Sequence, residues 1–248
     1  MATVSQCLRV VPAAEFAAAV ADEITGIVRR KPTAVLGLPT GNTPLPVYRE
    51  LVARQQAGLV DLSRVTVVQL DEYRGARPED PVSFAAWLRT HLLDACHIGP
   101  EQFQRLPASA GDVEQACRSF EAELAARGGC DLQVLGLGLN GHIGFNDPGS
   151  SRSSRTRLVT LTEETRAVNA DYWSGREVPA EALTQGVATL LEARQLLLLV
   201  NGAGKAGILQ QALEGPITST IPASFLRESG HLQVFCDVPA ASRLRNIG

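Results

Sequence analysis

Long apolar runs are missing from this 248-residue chain; none approaches the roughly 20 residues needed to cross a bilayer, so no membrane-spanning helix and no membrane partner are expected. The first residues, Met-Ala-Thr-Val-Ser-Gln-Cys, lack a charged segment followed by an apolar core. No secretory signal is read there, and a cytoplasmic location is expected. Basic runs are scarce too, the longest being Arg29-Arg30-Lys31. With 23 Lys+Arg against 26 Asp+Glu and a net charge of −3, nothing suits a nucleic-acid backbone. The five cysteines (Cys7, Cys96, Cys117, Cys130, Cys236) form no C-x-x-C pair, which fits reduced thiols and excludes a disulfide framework. The four histidines are dispersed, without H-E-x-x-H, so no metal site is expected. No G-x-S-x-G elbow is present, which argues against a serine hydrolase. Linkers, repeats and low-complexity tracts are absent as well, and residues 1–248 read as one domain.

What is present is a regular alternation. Phe16, Val20, Ile24, Ile27 and Val28 recur at helical spacing across 13–30. The run Ala34 to Leu38 then stops at Pro39, Gly41 and Asn42, as a buried strand entering a loop does. Pro44 suits the first turn of a helix over about 44–57. Further strands are expected at 65–70, 132–137, 196–200 and 231–236, and helices at 82–95, 112–127, 180–194 and 203–214. Strands separated by helices of 10–15 residues imply right-handed βαβ units. The expected fold is α/β and Rossmann-like: a doubly wound, mostly parallel sheet with helices on both faces.

In such sheets ligands gather at the carboxyl ends of the strands. One such end carries Thr40-Gly41-Asn42-Thr43, where amides at a helix start and two hydroxyls make a ready anion site, or an ordinary capped turn. A second carries Asp71 and Glu72, two carboxylates that are costly to bury unless paired or used. Successive strand residues face opposite sides, so only one of the two is expected to face a ligand. The third, Gly136 to Asp147, holds three glycines within six residues around His142, with Asn140 and Asp147 close by. That setting favours acid/base work over a structural histidine. Lys205 follows a fourth strand and is either an anion holder or a solvated surface lysine. Together these ends suggest an anionic, phosphorylated small molecule handled by one histidine and one or two carboxylates.

Six segments carry a resemblance: L-G-L-P-T-G-N-T-P-L, L-D-E-Y-R-G, L-G-L-G-L-N-G-H-I-G-F-N-D-P-G, S-R-T-R-x-V-T-L-T-E-E-T-R, V-P-A-E-A-L-T-Q-G-V-A-T-L-L-E-A-R and I-P-A-S-F-L. From about residue 33 to 237 the chain resembles the glucosamine/galactosamine-6-phosphate isomerase family, within a group that also includes 6-phosphogluconolactonases. The lactonases carry an aspartate-rich variant of the histidine loop in place of N-G-H-I-G-F-N. The resemblance implies conversion of an aldose-2-amine 6-phosphate and water to a 2-ketose 6-phosphate and ammonia, without a cofactor. In it His142 opens the sugar ring, oriented by Asn140 and Asp147, and Asp71 moves the C2 proton to C1. Thr40, Gly41, Asn42, Thr43 and Lys205 would hold the phosphate, Glu72 and Gly138 fall among the substrate-binding residues, and about 160–178 would form a mobile lid.

Three departures follow from the same likeness. Asp147 stands where relatives carry Glu, so its contact to His142 is expected to be longer. Asp171 stands where a lid Arg often grips phosphate, leaving Arg166 as a substitute or the substrate in a different seat. Arg157 is retained, but Val159 replaces a frequent Lys, so a non-allosteric enzyme is expected. The preferred C4 epimer, glucosamine or galactosamine, and homo-oligomer formation stay open.

Overall fold

The computed structural model describes residues 7–245 except 171 and 174. In chain order the elements are β1 (Leu8–Val11), α1 (Phe16–Arg30), β2 (Val35–Leu38), α2 (Leu45–Gln56), β3 (Thr66–Gln69), β4 (Asp71–Tyr73), α3 (Phe84–Leu88), β5 (Phe103–Gln104), α4 (Val113–Ala126) and β6 (Leu132–Gly136). There follow β7 (Arg157–Thr160), α5 (Glu163–Asn169), β8 (Glu181–Thr184), α6 (Val187–Leu191), β9 (Leu196–Val200), α7 (Ala206–Glu214), β10 (Leu232–Asp237) and α8 (Val238–Ala241).

Seven strands form one sheet in the order β1-β10-β9-β6-β2-β3-β5, every pairing parallel. From β2 the chain builds outward through β3 and β5, then returns to the other side of β2 and builds through β6, β9 and β10. Strand order therefore reverses between β2 and β6, and their carboxyl ends flank the crevice where such sheets bind ligands. In β9, Leu197 and Leu199 pack with α1 and α2, through Val20, Ile24 and Leu51. Leu196, Leu198 and Val200 pack on the other face with Leu209 and Leu213 of α7. Burial on both faces is what a run of five apolar residues encodes.

A small antiparallel sheet, β4-β8-β7, sits beside the large one. It corrects the helix expected over 180–194. Residues 181–184 are a strand because β8 is hydrogen-bonded on both sides, with Ala182 and Leu183 fully buried. The helix starts only after Gly186, where any Cβ would collide with the carbonyls of Ser154 and Arg155. Likewise the helix expected over 82–95 is a short α3 that widens into a π turn at Arg89–Leu93. Among the described residues no helix is long and apolar enough to cross a membrane.

Candidate active site

The loop after β6 is shaped around His142. Gly138 lies under the imidazole, and a Cβ there would overlap the ring. Gly141, at φ 86°, takes a left-handed turn that lets Gly138 N–H bond the His142 carbonyl at 3.0 Å. Asn140 Oδ1 accepts the backbone N–H of His142 at 3.1 Å and lies 2.7 Å from His142 Nδ1. The backbone donor fixes which end of the Asn140 amide faces the ring. An oxygen accepting from Nδ1 requires the neutral imidazole to carry its proton there, which leaves Nε2 with the free lone pair. Asp147 Oδ1 is 3.5 Å from both His142 Nδ1 and Asn140 Nδ2. Burial pulls His142 below the ordinary histidine range, Lys205 adds to that, and the charges of Asp147 and Glu164 oppose it.

Asp71 and Glu72 are adjacent but differ completely. Glu72 is 2% exposed, and its carboxylate accepts from Gln69 Nε2 at 2.7 Å and from the backbone N–H groups of Tyr73, Phe84 and Ala85 at 2.9–3.0 Å. It ties the start of α3 to β4. Glu72, expected among the substrate-binding residues, is thus redirected: with both oxygens taken and facing away from Asp71, it has no acceptor left for a ligand. Asp71 is 8% exposed, and its carboxylate accepts no hydrogen bond from the described residues. Burial, then the neighbouring charge of Glu72, pushes its pKa from 3.8 up to about 8. Its charge reaches Tyr48, a fully buried residue whose hydroxyl donates to the Pro39 carbonyl at 2.7 Å and whose pKa is raised by burial and then by Asp71.

The remaining strand ends join this pair. Lys205 Nζ donates to the Leu137 carbonyl at 2.7 Å and has no carboxylate within ion-pair distance among the described residues. Burial lowers its pKa. Thr43 donates to Asn201 Oδ1 at 2.7 Å, linking the loop after β2 to the loop after β9. Thr40 and Thr43 are half-buried, Gly41 and Asn42 are exposed, and Gly41 takes φ 109° just before α2. Gly144, at φ 57°, brings the histidine loop against Leu70 and Thr184. The structure thus gathers Thr40–Thr43, Asp71, Gly138, Asn140, His142, Asp147 and Lys205 at adjacent strand ends.

Arg166 is engaged elsewhere, with the Val178 carbonyl and Glu177, both at 3.2 Å. As a substitute phosphate grip it is therefore already occupied. Asp171 lies outside the described residues. A hollow of about 450 Å³ lined by Arg29, Leu59 and Arg64 opens at the amino ends of the strands, away from all these residues. Among the described residues no group of three His, Cys, Asp or Glu is disposed to hold a metal ion.

A family model described as glucosamine-6-phosphate isomerases/6-phosphogluconolactonase matches residues 11–235. The chain belongs to that family. Within it, a glucosamine-6-phosphate deaminase of Streptomyces avermitilis is 46% identical over 228 residues, covering 91% of this chain and 87% of the relative. One from Rhodopirellula baltica is 44% identical over 239 residues, covering 96% and 95%. A solved structure of a monomeric glucosamine-6-phosphate deaminase, 37% identical, superposes with a TM-score of 0.91 over 95% of this chain and 99% of that one. The 6-phosphogluconolactonase of Trypanosoma brucei, 20% identical with a TM-score of 0.77 over 96% and 98%, shares the fold.

Sequence reasoning missed two members of this site. Tyr48 sits within an unremarkable helix and carries no motif. Thr165, whose hydroxyl donates to Asp147 Oδ2 at 3.2 Å, reads in sequence as part of a helix start, because Thr162 caps the same turn.

Proposed function

We propose that this family member is a glucosamine-6-phosphate deaminase, converting glucosamine 6-phosphate and water to fructose 6-phosphate and ammonia. The observation that carries the reading is the split between neighbours: Glu72 saturated with donors, Asp71 buried and bare with a pKa near 8. A carboxylate so tuned is a base for carbon acids near neutrality, since proton transfer is most efficient when base and medium match. The relatives at 44–46% identity, all but full length, support the same assignment.

The sugar phosphate is held by Lys205, a strand-end cation with no carboxylate partner among the described residues, together with the Thr40–Thr43 loop and the amides opening α2. His142 Nε2 takes the proton of the C1 hydroxyl and delivers one to the ring oxygen, so the C1–O5 bond breaks and the aldehyde forms. Asp147 stabilises the transient imidazolium. The C2 ammonium brings a positive charge towards Asp71 and favours its ionised form. Asp71 then removes the C2 proton while the ammonium gives up a proton and the C1 oxygen gains one, so that a neutral enolamine forms, and Asp71 returns its proton to C1. The resulting C2 imine adds water and expels ammonia, leaving the ketose; hydrogen moves from C2 to C1 with no net oxidation.

The deciding experiment gives purified protein glucosamine 6-phosphate and galactosamine 6-phosphate separately and follows ammonia. Ammonia and fructose 6-phosphate from the glucose epimer are expected. Ammonia from the galactose epimer alone would reassign the substrate. Silence with both, with acid release from 6-phosphogluconolactone, would overturn the reading.

A further inference from the structure

Thr165 is the third residue of α5, and its side chain is spent outside its own helix. Thr162 caps that helix, its Oγ1 accepting Thr165 N–H at 3.1 Å. The Thr162 hydroxyl then donates to Thr165 Oγ1 at 3.0 Å, so the Thr165 proton is left for another acceptor. It goes to Asp147 Oδ2 at 3.2 Å, across 18 residues of sequence. The other oxygen of that carboxylate is the one facing His142 Nδ1 and Asn140 Nδ2, both at 3.5 Å. Those two distances are at the outer edge of hydrogen bonding, so a small rotation of the carboxylate abolishes both. Asp147 reaches the imidazole only if something holds its far oxygen. Thr165 is 7% exposed and the Asp147 side chain 16%, so the bond lies in a partly buried setting where the hydroxyl is the nearest protein donor to Oδ2.

We propose that Thr165 is a positioning residue for the ring-opening histidine. By holding Oδ2 of Asp147 it keeps Oδ1 aimed at the His142–Asn140 pair, so that α5 and the imidazole are brought into line by one hydroxyl. The inference rests on the deaminase reading for its kinetic consequence, but its geometric content does not. The charged groups that act on His142 are Asp147, Lys205 and Glu164. Of these, only Asp147 is held by Thr165. Removing the hydroxyl loosens the anion that favours the imidazolium, which slows the step in which His142 carries the proton and leaves phosphate binding alone.

The test compares Thr165→Val, which keeps the shape and loses the hydroxyl, with Thr165→Ser, which keeps the hydroxyl. Thr165→Val should lower kcat about tenfold, the range expected for one hydrogen bond to a charged group, with KM within about twofold of the parent. Thr165→Ser should restore kcat to within about twofold. In an Asp147→Asn background Thr165→Val should cost nothing further, as expected for residues that act through one another. Nitrogen-15 NMR of His142 in the substrate-free protein supplies a readout independent of turnover: its titration midpoint should fall in Thr165→Val and return in Thr165→Ser. Circular dichroism melting confirms that each variant is folded. An unchanged midpoint in a folded Thr165→Val protein, a Ser variant as impaired as Val, or a full tenfold further loss on Asp147→Asn would each overturn the proposal. If the parent releases no ammonia from either hexosamine phosphate, the deaminase reading fails, and the His142 midpoint still decides the role of Thr165.

Discussion

Asp71→Asn should make the protein more stable as well as inactive, and the gain should depend on pH. The folded state raises the pKa of Asp71 from 3.8 to about 8. In the unfolded chain the carboxyl ionises near its ordinary value, so between about pH 4 and pH 8 the folded protein keeps a proton that the unfolded one has released. Folding stability from this group is therefore intact below pH 4 and lost as pH rises towards 8. Each pH unit in that window costs about 1.4 kcal/mol, so raising pH from about 5 to about 7 removes roughly 2–3 kcal/mol from the parent. Asparagine has no such dependence, and the fixed cost of burying its amide cancels in the difference between two pH values. For a chain of 248 residues, at about 2–4 °C per kcal/mol, the melting gap between Asp71→Asn and parent should widen by roughly 5–10 °C over that interval. Calorimetric melts of both proteins at constant ionic strength measure it, and parallel assays should find ammonia release down by about 10²–10⁴-fold. A gap that stays constant from pH 5 to pH 7 would mean that Asp71 ionises like a surface carboxylate, and the argument for a tuned base would be wrong.

Glu72→Ala should do the opposite, because Gln69 and three backbone N–H groups lose their acceptor; a loss of about 3–5 kcal/mol in urea unfolding is expected, and less than about 1 kcal/mol would show that α3 does not need this anchor. Lys205→Ala should raise KM for the sugar phosphate at least about tenfold while barely changing the far poorer turnover of unphosphorylated glucosamine. An equal loss on both substrates would detach Lys205 from the phosphate. Gly138→Ala should lower kcat about a hundredfold with little change in melting temperature, since its methyl group would displace the His142 ring rather than the core. Val159, half-buried against the aromatic cluster of the small sheet, offers no cation beside Arg157. The rate curve should accordingly be hyperbolic and unmoved by N-acetylglucosamine 6-phosphate, and a sigmoidal curve that the acetylated sugar straightens would refute this.

The parts of the molecule legible in sequence are those where one physical requirement dominates. β2, β3, β6, β9 and β10 lie inside a parallel sheet and are mainly apolar on both faces, as unbroken runs in β2 and β9 and as β-branched or Leu-rich runs interrupted by Gln69, Gln133 and Gln233 in the others, so each stands out between turn residues. The loops after them are legible because glycines, hydroxyls and carboxylates have no reason to follow such runs unless a ligand or a tight turn needs them. β1, with Leu8-Arg9-Val10-Val11 on the rim of the sheet and only partly buried, satisfies no such strict rule. β7 and β8 are hidden for another reason. Apolar residues from Ala182 to Leu191 fit either a helix or a strand followed by a helix, and the choice is made by hydrogen bonds to β4, more than 100 residues earlier. The opposite fates of Asp71 and Glu72 follow from strand alternation, but which of them meets the donors of α3 depends on where Phe84 and Ala85 end up. The bond from Thr165 to Asp147 is a tertiary contact with no local signature at all.

The pairing of β1 with β10 also constrains how the chain can be made. Leu8–Val11 has no partner until Val234–Asp237 exists, so during synthesis the first strand waits while more than 200 residues are added. At about 5–20 residues per second that is a delay of roughly 10–45 s. For part of that time β9, Leu-Leu-Leu-Leu-Val, has β6 on one side and nothing on the other. An open edge of five apolar residues is the kind of surface that recruits another chain. A chain cut short soon after Val200 would therefore carry five of the seven strands paired with its stickiest one unguarded, and the 48 residues that follow Val200 serve the nascent protein as a cover against its own neighbours.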